Sequence, residues 1–123
     1  MTKDQIELIE KETGIKLPAG YKHVLLNYPS QLLGTEAEDF CLLNDHLSII
    51  EENTDVKQHG FFGEPWPEHY FVIGINGCGD YYVINHQNEE FAVGFACHEQ
   101  MACNPYASSL SEFVVKSLDE INN

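Results

Sequence analysis

The sequence contains no arginine, and its six lysines stand against 20 aspartate and glutamate residues, which gives a formal net charge of −14. A surface of this sign repels the phosphates of nucleic acids and the headgroups of anionic membranes. It speeds association with a basic protein, but it also serves solubility alone in many proteins. The charge therefore argues against nucleic-acid and membrane partners, and it leaves a basic protein partner or a plain solvated surface as alternatives.

Long apolar segments are also missing. No run approaches the roughly 20 apolar residues that a membrane-spanning helix requires. The N-terminal residues Met1–Gln5 lead into an amphipathic helix instead of the apolar core of a signal peptide. We therefore expect a cytoplasmic protein.

The cysteines form no recognisable metal or redox motif. Four of them occur, and their spacing fits neither a zinc-ligand set nor a C-x-x-C pair: Cys41, Cys78, Cys97 and Cys103. In a reducing compartment they are expected to be free thiols, with Cys41 and Cys97 serving as small apolar core residues.

No pattern in the sequence indicates a catalytic site. The trio Cys97, His98 and Cys103 does not have the spacing of a structural zinc site, and no signature of a Cys–His nucleophile surrounds it. Glu51 and Glu52 are adjacent and would point in different directions on a helix, so they do not form an acid–base pair. We expect no metal, no cofactor and no enzymatic activity.

The negative charge is concentrated in the middle of the chain. Residues 23–115 contain 14 acidic residues and a single lysine, whereas the two ends are nearly neutral. We predict that a protein partner binds these acids together with neighbouring aromatic residues, since exposed aromatics within a charged rim are typical of interface centres. The predicted binding residues are Glu36, Glu38 and Asp39 in a loop, Glu51, Glu52 and Asp55 on a helix, and Phe62, Glu64, Trp66 and Glu68 in a second loop. The alternative for Phe62 and Trp66 is burial in the core.

A hairpin is the clearest structural signal. Two runs rich in β-branched and aromatic residues, Tyr70–Asn76 and Tyr81–Asn85, flank the turn Gly77-Cys78-Gly79-Asp80. Gly77 and Gly79 allow positive φ there, and Asp80 is expected to cap the turn with its side chain.

The order of the elements predicts an α+β fold. Two helices, separated near Gly14, open the chain, and a third spans Leu47–Val56. A capping box at Ser109 and Glu112 begins a last helix, which runs through Ile121. Besides the hairpin we expect strands at Gln31–Gly34, Phe40–Leu43 and Phe91–Ala96, with an irregular segment at Cys97–Tyr106. Short connections between consecutive strands indicate a mainly antiparallel sheet, within a single domain of residues 1–123.

Three segments in this order resemble the SUKH superfamily, which includes regulators of cell-wall synthesis and bacterial toxin immunity proteins. The first carries G-x-x-L-P-x-x-Y at Gly14, Leu17, Pro18 and Tyr21. The second is the Trp-Pro and strand–glycine–strand region, with Trp66, Ile73, Gly74, Gly77, Gly79, Asp80 and Tyr82. The third is Ala107–Val114. Tyr21 and Tyr82 are expected in the core.

The resemblance implies a curved sheet with a groove for protein binding, and no catalysis. Bacterial relatives are thought to neutralise toxins that are often nucleases or nucleic-acid deaminases. We therefore expect an immunity protein that occludes a toxin with a basic surface. The alternative is an interaction module in a regulatory complex without a toxin.

Overall fold

Helices lie at both ends of the chain and strands follow one another in its second half. A computed structural model describes residues 1–61, 63–76, 79–88, 92–97 and 102–121. Within these residues the helices are α1 (Lys3–Thr13), α2 (Ala19–Leu26), α3 (His46–His59) and α4 (Leu110–Ile121). The strands are β1 (Tyr70–Ile75), β2 (Tyr81–Asn85), β3 (Val93–Cys97) and β4 (Ala102–Ala107). None of these helices is long and apolar enough to cross a membrane.

The four strands form one curved antiparallel sheet in the order β1-β2-β3-β4. Each strand therefore pairs with its neighbours in sequence, as a meander requires. Together with the terminal helices and the one helix inserted before the sheet, this arrangement confirms the predicted α+β fold. The predicted hairpin is β1 and β2, whose register runs from Tyr70 opposite Asn85 to Ile75 opposite Tyr81.

Local sequence signals explain where the helices begin and end. Thr2 and Gln5 form the predicted capping box at the start of α1, and Gly14 ends this helix with φ +70°. The Asp45 side chain accepts a hydrogen bond from the Leu47 amide at the start of α3. At α4, Ser109 accepts from the Glu112 amide, which is one half of the predicted box.

The two faces of the sheet are covered very differently. On one face, Phe71, Ile73, Tyr82 and Ile84 join a large core with the buried side chains of α1, α2 and α4. Tyr21 and Tyr82 lie in this core, as predicted. On the other face, Val72 and Val83 contact Val56 of α3. The residues that pack against these three valines are partly buried: Trp66, Tyr70, Ile75, Tyr81 and Cys103. We call this side the aromatic face.

The outer edge of β1 is closed by the side chain of Asn53. This residue of α3 is 6% exposed, and its Oδ1 accepts from the Val72 amide at 2.8 Å. Its Nδ2 donates to the carbonyls of Val72 at 3.0 Å and Ile49 at 2.9 Å. The amide thus supplies the pairing that a neighbouring strand would give, which protects an otherwise reactive sheet edge.

The segment Phe40–Leu43 closes the rest of the same edge without being a strand, so the prediction for it was wrong. The Leu43 amide donates to Ile73 and the Ile75 amide to Phe40, both at 2.9 Å, but other amides of this region turn back to residues 37 and 38. A Cβ added to Gly74 would lie 1.8 Å from the Cys41 carbonyl oxygen. Glycine at this position therefore permits the close approach of the two backbones.

Two other sequence predictions differ from the structure. Gln31–Gly34 forms turns instead of a strand. Cys97–Tyr106 is not irregular throughout, because its described part contains β4. Pro105 lies in β4, which is an edge strand, and proline is tolerated on edge strands because its missing N–H need not be a partner in the sheet. The third predicted strand begins at Phe91, which lies outside the described residues, and β3 spans Val93–Cys97.

Replacing Asn53 with alanine should lower the free energy of unfolding by about 3 kcal/mol, because it removes three buried hydrogen bonds and leaves the Val72 N–H and C=O unpaired. Urea denaturation of the wild type and the variant measures this difference. Gln58→Ala, at an exposed position of the same helix, is the control and should change stability by less than about 0.5 kcal/mol. Equal effects of the two substitutions would contradict the role assigned to Asn53.

Candidate protein-binding face

The acidic residues of α3 lie beside the aromatic face. Glu51 and Asp55 are exposed, and Glu52 is half-buried. Burial, with repulsion from Asp55 and Glu51, raises the pKa of the Glu52 carboxyl. Burial raises the pKa of the Tyr81 hydroxyl as well, and the negative charges of Glu52 and Asp55 raise it further. The helix therefore projects its negative field onto the aromatic face.

Four aromatic rings form the centre of this face. The Trp66 ring lies 5.7 Å from that of Tyr81, 5.8 Å from Phe61 and 6.3 Å from Tyr70, in each case in an edge-to-face arrangement. The Trp66 Nε1–H donates to the Tyr70 carbonyl at 3.1 Å, which holds the indole against the sheet. We call Phe61, Trp66, Tyr70 and Tyr81 the aromatic cluster.

Trp66 is partly buried against the core and partly exposed at the surface, so core packing and partner binding are compatible at this residue. It is half-buried, and it packs against the small core of Val56, Val72 and Val83. Its remaining surface lines two surface cavities. Phe62, the other aromatic residue in the prediction, lies outside the described residues.

Among the cavities formed by described residues, Tyr70 lines three. Their volumes are about 480, 110 and 300 Å³, and Tyr70 lines each of them. Glu68 lines the first, between the end of α1 and α3, and Glu64 lines the second, beside Trp66. The structure thus brings the predicted residues Glu64, Trp66 and Glu68 together around one grooved surface.

The third predicted acidic group, Glu36, Glu38 and Asp39, is placed differently. Glu38 accepts hydrogen bonds from the Gly34 amide and the Asn44 Nδ2, both at 2.8 Å, and these bonds lower the pKa of its carboxyl. Glu38 therefore holds its own loop together. Glu36 lines a separate cavity that shares no lining residue with the three around Tyr70.

The predicted turn residues hold the β1–β2 connection. Asp80 is 6% exposed, and its carboxylate accepts from the Asn76 Nδ2 at 3.0 Å. In return, the Asp80 amide donates to the Asn76 Oδ1 at 3.1 Å. Gly79 has φ +93°, where a side chain would be strained. Gly77 lies outside the described residues.

A second polar cluster, which sequence reasoning missed, fastens α4 to the sheet. The Glu120 carboxylate accepts from the Tyr106 hydroxyl at 2.8 Å and the Tyr82 hydroxyl at 3.3 Å. Burial and the bond to Glu120 raise the pKa of Tyr106 to about 12. Cys41 contacts the same carboxylate, and burial raises the pKa of its thiol, so the thiol stays protonated and unreactive at neutral pH.

Sequence reasoning also missed several residues of the grooved surface. Tyr81 was assigned only to a strand, and Glu12 and His86 were assigned no site, although both line the cavity of about 480 Å³. Because side chains alternate along a strand, the burial of Tyr82 in the core could have placed the neighbouring Tyr81 on the other face of the sheet. Nothing in the sequence pairs the end of α1 with the β2–β3 turn. Within the described residues, no three histidine, cysteine or acidic side chains are grouped so that they could hold a metal ion.

Comparison with known proteins identifies one family. The family model of the SMI1 / KNR4 family (SUKH-1) matches residues 1–116 of the chain. No curated protein and no solved structure matches the chain. The matched range includes α1 to β4, the aromatic cluster and the first turns of α4.

The raised pKa of Glu52 predicts a pH-dependent gain of stability in Glu52→Gln. A carboxyl whose pKa is higher in the folded state than in the unfolded state costs stability once it ionises, and that cost is lost as the pH falls through the raised pKa and below the ordinary value of 4.5. Because Glu52 is partly solvated, the gain at pH 7 should be about 0.5 kcal/mol or less. Urea denaturation at pH 7 and at about pH 3.5 measures it, with Glu7→Gln on α1 as the control. A gain that persists unchanged at the lower pH would contradict this explanation.

Proposed function

The chain belongs to the SMI1 / KNR4 family (SUKH-1), and from this membership we propose that it is an immunity protein, which binds a cognate bacterial toxin and blocks its active surface. The proposal includes a cytoplasmic location and no catalytic activity. One observation carries it beyond the family: Glu52 and Asp55 of α3 lie close enough to Tyr81 for their charges to raise its pKa, and Tyr81 packs on Trp66, so negative charge lies next to apolar contact area.

This combination suits a target that acts on nucleic acids. Such a toxin grips phosphates with lysine and arginine side chains, so its active surface is basic. An acidic partner is steered onto that surface and competes with the substrate for it. The half-buried rings of Trp66 and Tyr70 supply contact area of the kind that dominates binding energy in interfaces.

The uncompensated charge of α3 supports the same target. In the described part of the chain no ion pair reaches Glu51, Glu52 or Glu64, and Asp55 pairs only with the exposed His59 at 3.7 Å. Burial raises the pKa of Glu52 most, and repulsion from Asp55 and Glu51 raises it further; a cation brought to this surface relieves the repulsion. Binding of a basic partner is therefore favoured over binding of a neutral or acidic one.

Co-expression with the product of the adjacent upstream gene should restore growth to cells that this product poisons, and the two proteins should purify as a complex. Growth rate and co-purification are the measurements, and Asn53→Ala serves as a destabilised control. If the neighbour is not toxic and the chain instead purifies with a non-toxic protein, the alternative function as a regulatory interaction module gains support.

Removing the charge of α3 should slow association with the toxin. The triple variant Glu51→Gln, Glu52→Gln, Asp55→Asn should associate about tenfold more slowly at low salt, and the difference should shrink as the salt concentration rises. Stopped-flow fluorescence measures the rate.

The matched control removes the same number of charges from the terminal helices, through Asp4→Asn, Glu7→Gln and Asp119→Asn. It should lower the rate by no more than about twofold, since these charges act from a distance. Equal slowing by both triple variants would show that only the net charge matters and would refute the assignment of α3.

A further inference from the structure

The smallest of the three cavities around Tyr70 has the size of a single side chain. Its volume is about 110 Å³, and three aromatic residues line it, Phe61, Trp66 and Tyr70, together with Pro65 and Pro67. Ala96 and Cys103, on β3 and β4, also line it, and Glu64 is the acidic residue of the lining. None of the described residues that line this cavity is basic.

The wall of the cavity is held in place before any partner binds. Phe61 and Glu64 exchange backbone hydrogen bonds, with the Phe61 amide donating at 2.7 Å and the Glu64 amide at 3.1 Å. A Cβ on Gly60 would lie 2.3 Å from the Glu64 carbonyl oxygen, so glycine permits this tight closure. The bond from Trp66 to the Tyr70 carbonyl fixes the opposite part of the wall. A preformed pocket loses little conformational entropy on binding.

The chemistry of the wall selects a cation. The faces of aromatic rings attract positive charge, and arginine is the side chain that most often uses this attraction in proteins. Glu64 is exposed, and it would lose its hydration without compensation if a neutral side chain covered it. The guanidinium group of arginine can both stack on a ring and bond to a carboxylate.

We propose that this cavity, between Trp66, Tyr70 and Glu64, receives one arginine side chain of the protein partner. The inference rests on the proposed function only for the identity of that partner. Because the chain itself contains no arginine, a second copy of the chain cannot supply the side chain. The occupant therefore comes from a different, basic protein.

The single tryptophan of the chain allows a direct test on the free protein. The indole N–H resonance of Trp66 is followed by NMR while the tripeptide acetyl-Gly-Arg-Gly-amide is added. Two matched peptides replace arginine with citrulline, which keeps the shape but lacks the charge, or with norleucine, which is apolar. The arginine peptide should shift the resonance saturably, and the citrulline and norleucine peptides should bind at least about fivefold more weakly.

The variant Glu64→Gln should weaken binding of the arginine peptide about fivefold, whereas Glu7→Gln, a remote change of the same charge, should leave it unaltered. Retained dispersion of the amide spectrum checks that each variant is folded. Equal binding of the three peptides, tighter binding of norleucine, or no saturable shift with arginine would overturn the proposal.

This test is independent of the toxin. Growth rescue without arginine-peptide binding would support the immunity function and refute the proposal that the cavity binds an arginine side chain. Peptide binding without growth rescue would retain the pocket and refute the immunity function with that neighbouring gene product.

Discussion

The pairing between the Asn53 amide and the Val72 backbone organises much of this molecule. Strand β1 is hydrogen-bonded to another strand, β2, on one side only, and its other edge would otherwise expose unpaired N–H and C=O groups. One buried side chain satisfies both groups and ties α3 to the sheet at the same time. Together with the packing of Ile49 and Val56, this contact fixes the position of α3 and so of its acidic residues.

Closing this edge prevents strand addition at β1. With Asn53 and the segment Phe40–Leu43 along β1, an extended peptide cannot add to the sheet there. The core face is filled by α1, α2 and α4. In the part of the chain that the structure describes, the end of α3 and the residues around Trp66 cover the aromatic face, and cavities open on it.

Stability and binding make opposite demands on the acidic residues. Burial of Glu52, and next its repulsion from Asp55 and Glu51, raise the pKa of its carboxyl, so the ionised form costs folding free energy. In the function proposed above, the same charge attracts the basic partner and speeds the first encounter. Glu38 shows the contrast, because its carboxylate is satisfied by Gly34 and Asn44 within its own loop. Acidic residues that look equivalent in the sequence therefore serve structure in one place and remain available in another.

Local signals were enough to predict the fold class, the capping of α1, the β1–β2 hairpin and the burial of Tyr21 and Tyr82, because these depend on short-range propensity and apolar periodicity. The strand with Pro105 and the edge segment Phe40–Leu43 were misassigned, since tertiary position overrides propensity in both. The sequence by itself determined the family, the α+β class and the acidic, arginine-free composition. Only the tertiary structure decided that the α3 acids and Trp66 share one face while Glu38 does not, because contacts between residues distant in sequence depend on how whole elements pack.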